Sequence, residues 1–267
     1  GYEVTYIDVT ERGVIDPEQL KNAIRNDTVA ISVMYVNNET GVVQPIDEIA
    51  KMIEGKGIVL HTDAIQGVGK EMILPKKQGI HALSAAAHKF YGPKGTGFLY
   101  LDQNYMIEKE ITGGSQERNR RSGTENVHGI VGMAKALEIV YSDMEEEQAK
   151  EKEMQIYLEE ALKEEICNIK INCGNSRRIS SVVNITLEDC NVQTLMVALD
   201  MEGICVSGGS ACMSGAMETS HVLKAMGASE EDLKSSIRVS IGRYNTKDEI
   251  DIFIQKLKEI VARERAK

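Results

Sequence analysis

The chain has 267 residues, enough for one large or two modest domains, and 42% hydrophobic content supports a sizeable core. Lys and Arg total 31 against 41 Asp and Glu, a formal charge of −10, which argues against nucleic acid as the main partner and fits small or basic ones. No apolar run approaches the roughly 18 residues a membrane span needs, and the opening GYEVTYIDVTERG lacks the regions of a signal peptide, so no membrane and a cytoplasmic location are expected.

In chain order, YEVTYIDV (2–9) reads as a strand already under way, and with Gly in place of Met at position 1 it suggests that the beginning is missing. TVAISVMYV (28–36) is a continuous β-rich run. PIDEIAKMIEGKG (45–57) has helical spacing at Ile46, Ile49, Ala50 and Ile53 with Gly after it, and IVLHTDA (58–64) is a second buried strand. This strand, helix, strand order predicts a mostly parallel sheet with flanking helices, an α/β architecture. HALSAAA (81–87) and TGFLYL (96–101) supply a third and a fourth run. Ligands in such sheets gather at the carboxyl ends of the strands, where Asn37, Asn38, Asp63, His88 and Lys89 fall.

From about Thr124 the texture becomes that of one long helix with acidic, solvated faces and an apolar stripe at Met154, Leu158, Ala161 and Leu162. Beyond it, RISSVVNITL, GICVSGG and SSIRVSIG read as short strands, and the last helix gathers Ile250, Phe253, Ile254, Leu257, Ile260 and Val261 on one side. Two domains are predicted, residues 1–140 as an α/β major domain and 141–267 as a smaller C-terminal α+β domain.

Asp63 closes an apolar strand, where a carboxylate is costly unless it meets a cation or several donors; taken alone, it reads as a cap accepting backbone N–H groups. Lys89, beside His88 at the end of a later strand, shifts the balance. A nucleophilic lysine amine must lose its proton and needs shelter, and a carboxylate opposite it suits a cofactor with an aldehyde and a ring nitrogen, such as pyridoxal phosphate. VSGGSACMSG (206–215) places Cys212 among small residues that cannot bury it, on a backbone free to move, where a thiol is placed to attack and to cycle through a persulfide. Cys167, Cys173, Cys190 and Cys205 lie in or beside apolar runs and read as core cysteines; the five together show neither CxxC pairs nor ligand spacing for zinc.

VNNETGVVQPI, HTDAIQGVGK, AHKFYGPKGTGFLYL, RSGTENVHGIVG, SGGSACMSG and SIRVSIGRYNTKDEID, in this order and over nearly the whole chain, resemble cysteine desulfurases of the NifS/IscS type. The resemblance implies a fold type I pyridoxal-phosphate enzyme, with 1–140 as the C-terminal part of the cofactor-binding major domain and 141–267 as the small domain carrying the Cys loop. It implies Lys89 as the Schiff-base lysine and Asp63 as partner of the pyridinium nitrogen. Gln66 and Asn38 would bond the cofactor's phenolic oxygen and the substrate, and His88 would hold phosphate or shuttle protons. Arg238 would clamp the carboxylate of L-cysteine, and Thr124 would reach the phosphate of a neighbouring subunit in a homodimer. Cys212 would take the sulfur as a persulfide, leaving alanine, for transfer to an acceptor such as an iron–sulfur scaffold; a part for Cys212 as an iron–sulfur ligand stays open, and no other metal is implied.

Two departures accompany the resemblance. Ala86 stands where the family has a phosphate-binding Ser, a loss of about 1 to 3 kcal/mol of cofactor binding unless Ser84 or water compensates. The family's N-terminal phosphate loop and ring-stacking His have no counterpart in these residues, so the 267-residue chain by itself is expected to show little pyridoxal absorbance. Selenocysteine lyase activity and a noncatalytic scaffold of the same family are the alternatives.

Overall fold

The structure, a computed structural model, describes residues 1–209 and 219–266. In chain order its elements begin with α1 (Pro17–Ala23), β1 (Ala30–Met34), α2 (Ile46–Ile53), β2 (Val59–Asp63), β3 (Ala82–Ala86), a 3-10 turn (Ala87–Phe90), β4 (Gly97–Leu101), the short α3 (Gln116–Asn119) and α4 (Val127–Ser142). There follow α5 (Met144–Glu165), β5 (Ile169–Asn172), β6 (Val182–Leu187), α6 (Val192–Met201), α7 (His221–Ala225), α8 (Glu230–Lys234), β7 (Ser236–Ser240) and α9 (Lys247–Arg265).

The chain divides into two compact units. One comprises residues 25–35 and 45–144, the other residues 1–24, 36–44 and 145–267. The division therefore does not follow a single cut in the sequence: the turn at residues 36–44 leaves the α/β unit directly after β1 and belongs to the unit that holds the C-terminal half.

In the α/β unit the sheet runs β1-β2-β3-β4, with β1, β2 and β3 parallel and β4 antiparallel to β3. Its strands alternate as half-covered strands do: Ile31, Leu60, Thr62, Leu83 and Ala85 are buried, whereas His61, Asp63, Ser84 and Ala86 on the opposite face are half-buried. Helix α2 buries Ile46, Ile49 and Ile53, three of the four positions that mark its apolar stripe in the sequence.

The second unit is built on the antiparallel sheet β5-β6-β7. Strand β6 is buried at all six positions, as the middle strand of a covered sheet should be. Leu158 and Leu162 of α5, Leu195 and Leu199 of α6, and Phe253, Ile254 and Leu257 of α9 close a single apolar cluster with Val183, Ile185, Leu187 and Ile237 of that sheet. Both stripes expected in α5 and α9 are thus core faces, Ala161 being only partly covered.

Several expectations need correction. Residues 2–9 form no strand; Tyr2 and Tyr6 are 85% and 88% exposed, and only Val9 pairs, in an isolated bridge with Ile15. A strand-like sequence does not by itself supply a neighbouring strand, and here the Asp8 N–H is met instead by Gln19 Oε1. The long helix is two, α4 and α5, broken at Asp143 (φ −99°, ψ 0°). GICVSGG is not a strand, pairing only at Ser207 with Arg238. Cys190 is buried and Cys173 partly so, but Cys167 and Cys205 are exposed, because their apolar neighbours face the core and they do not. Among the described residues no helix is long and apolar enough to cross a membrane.

Candidate active site

Asp63 is the last residue of β2 and pairs in parallel register with Ser84 of β3. The carboxyl end of β2 and the turn that carries His88 and Lys89 therefore leave the same edge of the sheet. Asp63 Oδ1 accepts the Ile65 N–H at 3.0 Å, so the local capping role read from the sequence exists, though it serves a turn rather than a helix. The Tyr35 N–H donates to the Asp63 carbonyl at 2.7 Å and the Ala64 N–H to the Ser84 carbonyl at 2.9 Å, which fixes the backbone on both sides. Gln66 sits half-buried in the turn that follows.

The 3-10 turn after β3 anchors itself through Ala87 and Phe90, both buried, and leaves His88 and Lys89 exposed. The described residues of this unit therefore do not supply the shelter that a neutral lysine amine was expected to need. Tyr91 ends the turn in the left-handed region (φ 65°), and the Gly92 N–H closes on the Ala87 carbonyl at 2.8 Å. A Cβ on Gly92 would stand 2.9 Å from that of Ala87, and one on Gly97 would stand 2.5 Å from the Ala85 carbonyl oxygen. These close approaches explain the glycines that follow the lysine: they let the chain fold back on the strand that carries it.

One feature of this edge escaped the sequence reading. His61 lies on the same face of β2 as Asp63, two residues earlier, and its ring bridges the sheet: Nδ1 is 2.8 Å from Ser32 Oγ on β1, and Nε2 is 2.9 Å from Ser84 Oγ on β3. A neutral imidazole has one donor and one acceptor nitrogen, and two hydroxyls can satisfy either tautomer. Burial lowers the His61 pKa, and the Asp63 charge offsets this in part. The period of two that puts His61 and Asp63 side by side was the available signal. The same bond takes up one hydrogen-bonding capacity of Ser84, the residue named from the sequence as able to compensate for the missing hydroxyl at Ala86.

Thr124 is exposed, just before α4. The stretch leading to it is internally tied, with the Ser122 hydroxyl donating to the Gly114 carbonyl at 2.6 Å and Lys109 Nζ donating to Asn119 Oδ1 at 2.8 Å. It also holds Glu117, Arg118 and Asn119 consecutively at φ 47°, 57° and 64°, a conformation that costs non-glycine residues roughly 1–2 kcal/mol each.

In the other unit, Asn37 folds residues 37–41 into a tight turn: its Oδ1 accepts the Glu39 N–H at 2.9 Å, the Thr40 N–H at 3.0 Å and the Thr40 hydroxyl at 3.1 Å. Gly41 completes the turn at φ 74°. Arg238 of β7 donates from Nη1 to the Asn38 carbonyl at 2.8 Å, and its backbone exchanges both hydrogen bonds with Ser207. Asn38 and Arg238, named separately from the sequence, are therefore in direct contact. Arg238 pairs across the sheet with Asn184, whose Nδ2 donates to the Glu39 carbonyl at 3.2 Å. Cys212 lies outside the described residues. The described cysteines Cys173 and Cys190 have thiol pKa values raised by burial, which makes them poor nucleophiles.

With this geometry in hand, residues 1–253 match the family model described as Aminotransferase class-V. The chain belongs to that family. Within the class-V aminotransferases it groups with the cysteine desulfurases, which depend on pyridoxal phosphate. It is 40% identical over 265 residues to cysteine desulfurase IscS of Dictyoglomus turgidum, covering 99% of this chain and 67% of that protein. It is 42% identical to cysteine desulfurase IscS of Methanosarcina thermophila, covering 99% and 65%. The chain thus spans about two thirds of the length of the curated relatives it matches. Among solved structures, a NifS-like protein superposes with a TM-score of 0.90 at 34% identity over 98% of this chain and 69% of the other. A structure described as SspA in complex with cysteine superposes with a TM-score of 0.78 at 33% identity over 92% and 68%. The donor set at the sheet edge fits the class-V cofactor: a carboxylate for a ring nitrogen, a primary amine for an aldehyde, and an amide and imidazole as further partners.

Proposed function

We propose that this chain removes sulfur from L-cysteine, giving L-alanine and a persulfide on Cys212, with Lys89, Asp63 and Arg238 in the roles their chemistry suits. The observation that carries this reading is the register of β2 against β3, which leaves Asp63 and the Lys89 turn on one edge of a parallel sheet. Pyridoxal phosphate, when bound, supplies an electron sink conjugated to the substrate's Cα. The Lys89 amine holds the cofactor's aldehyde and moves protons at the substrate carbon. Asp63 keeps the ring nitrogen protonated, Gln66 and Asn38 hold the ring oxygen and the substrate, and His88 contacts the phosphate or relays a proton. Arg238, whose Nη1 is already oriented by the Asn38 carbonyl, binds the substrate carboxylate.

The Cys212 thiolate attacks the sulfur of the substrate. An S–S bond forms, the C–S bond breaks, and its electron pair stays on carbon, which takes a proton to become the methyl group of alanine. The sulfur is oxidised as the carbon is reduced, so no external oxidant or reductant enters. We further propose a homodimer in which Thr124 serves the partner's phosphate, a cytoplasmic location, and delivery of the sulfur to an acceptor such as an iron–sulfur scaffold.

A second reading, a scaffold that binds sulfur-transfer partners without catalysis, draws on Ala86 and on the hydrogen bond that Ser84 already makes to His61. The experiment that separates these readings is the visible spectrum of the purified protein supplied with pyridoxal phosphate, together with alanine release from L-cysteine and from L-selenocysteine. A cofactor band and alanine from L-cysteine support the desulfurase. Alanine from selenocysteine alone identifies a lyase, and a protein that takes up the cofactor yet releases no alanine from either substrate identifies the scaffold.

A further inference from the structure

Glu39 is fully buried, yet its carboxylate has one short contact: the Ser220 hydroxyl donates to Oε2 at 2.5 Å. Its other oxygen, Oε1, is buried and has no hydrogen-bond partner among the described residues. A buried carboxylate so thinly satisfied is costly, and a core position would be filled better by an apolar side chain. Its presence calls for a task other than packing.

The surroundings of Glu39 indicate the task. Its carbonyl is held by Asn184, which belongs to a buried polar chain through Asn172, Thr186 and Ser236 across β5, β6 and β7. Its backbone N–H is held by Asn37, and the next carbonyl before it, that of Asn38, receives Arg238. Glu39 is thus tied to the sheet directly by Asn184 and, through its neighbour Asn38, by Arg238, while Asn37 holds it within the turn. Its side chain then reaches Ser220, a buried residue that also caps α7 by accepting the Leu223 N–H at 3.0 Å. Ser220 is the second residue after the stretch 210–218, and Ser207, shortly before that stretch, is paired to Arg238 by both backbone hydrogen bonds. The two places where the Cys212-bearing stretch joins the described structure are therefore fastened to one assembly, the Asn37–Gly41 turn and β7.

We propose that Glu39 is a positioning residue for sulfur transfer: by holding Ser220, it fixes the downstream attachment of the stretch that carries Cys212 relative to Arg238 and Asn38. The proposal rests on the desulfurase reading. Releasing that anchor widens the volume through which the tethered thiol moves and so lowers its effective concentration at the substrate sulfur, while the substrate carboxylate is still bound by Arg238.

The test uses the complete pyridoxal-phosphate-loaded enzyme and L-cysteine labelled at sulfur. It measures, in a single turnover, the rate at which label appears on Cys212 and, from the cofactor absorbance, the dissociation constant for L-cysteine. Glu39→Ala and Ser220→Ala slow the labelling by about tenfold and leave the dissociation constant unchanged. Glu39→Gln, which keeps an acceptor for the Ser220 hydroxyl, restores the rate; a purely packing role would predict no such recovery. Ser220→Ala removes one oxygen atom and carries the test if Glu39→Ala does not fold. Labelling of the alanine variants at the parental rate overturns the proposal, as does a dissociation constant that rises in step with the lost rate. If the parent enzyme places no label on Cys212, the desulfurase reading itself falls and takes this proposal with it; if the parent labels and the variants match it, only the proposal falls.

Discussion

His61 Nε2 lies 2.9 Å from Ser84 Oγ, so the hydroxyl nearest to Ala86 on that face of β3 is already engaged within the sheet. Serving His61 leaves Ser84 one fewer hydrogen-bonding capacity to give in place of the hydroxyl that Ala86 lacks. Introducing it should matter: Ala86→Ser is expected to tighten pyridoxal phosphate binding by about tenfold, equivalent to about 1.4 kcal/mol. Equilibrium titration of the stripped enzyme with the cofactor checks this. An unchanged affinity would show that the phosphate does not reach position 86.

The same histidine should make stability depend on pH. Burial lowers the His61 pKa below its ordinary 6.5. The unfolded chain therefore binds the proton more readily than the folded one. The stability is fully present above the unfolded value and is lost as pH falls through it toward the lowered folded value. Urea midpoints measured between about pH 7 and 5 should decline in the parent, and part of that decline should vanish in His61→Gln. Identical slopes in both proteins would contradict the account.

Much of this was legible in the residues, and the reasons for the gaps are specific. The Ala-rich run ending at His88 and Lys89 announced itself because apolar strands seldom end on two titratable groups. Asp63 was found for the same reason. His61 and Glu39 were hidden in the middle of motifs: the partners of one lie on the two neighbouring strands, and the partner of the other, Ser220, is far along the chain. Sequence periodicity reports which face a residue occupies, not what stands opposite it across a sheet. The strand expected at residues 2–9 is missing for a related reason, since a strand-like sequence cannot provide its own neighbour.

The core of the C-terminal half offers a stability test independent of the chemistry. Leu158 is fully buried in the cluster between α5 and the antiparallel sheet. Leu158→Ala should cost about 2–5 kcal/mol in chemical denaturation. Val197→Ala, at an exposed position of α6, should stay within about 0.5 kcal/mol of the parent. Similar losses at both sites would show that the cluster is not the core of this unit.

Lys89 stands on a turn held by Phe90 and Gly92, and its own side chain is exposed. Lys89→Ala should therefore fold with the stability of the parent while losing alanine release to background and the parent's visible cofactor band. Thermal unfolding and absorbance spectra of the two proteins check this. A variant that keeps the band would remove Lys89 from the reaction.

The central claim is that sulfur leaves L-cysteine for one thiol, that of Cys212. Its most direct test is peptide mapping by mass spectrometry after a single turnover of the cofactor-loaded enzyme, with the remaining thiols alkylated. One added sulfur atom on the peptide containing Cys212, absent from Cys212→Ala, is the predicted result. Added sulfur on Cys167 or Cys205, the two exposed cysteines among the described residues, or the same yield of persulfide from Cys212→Ala, would contradict it.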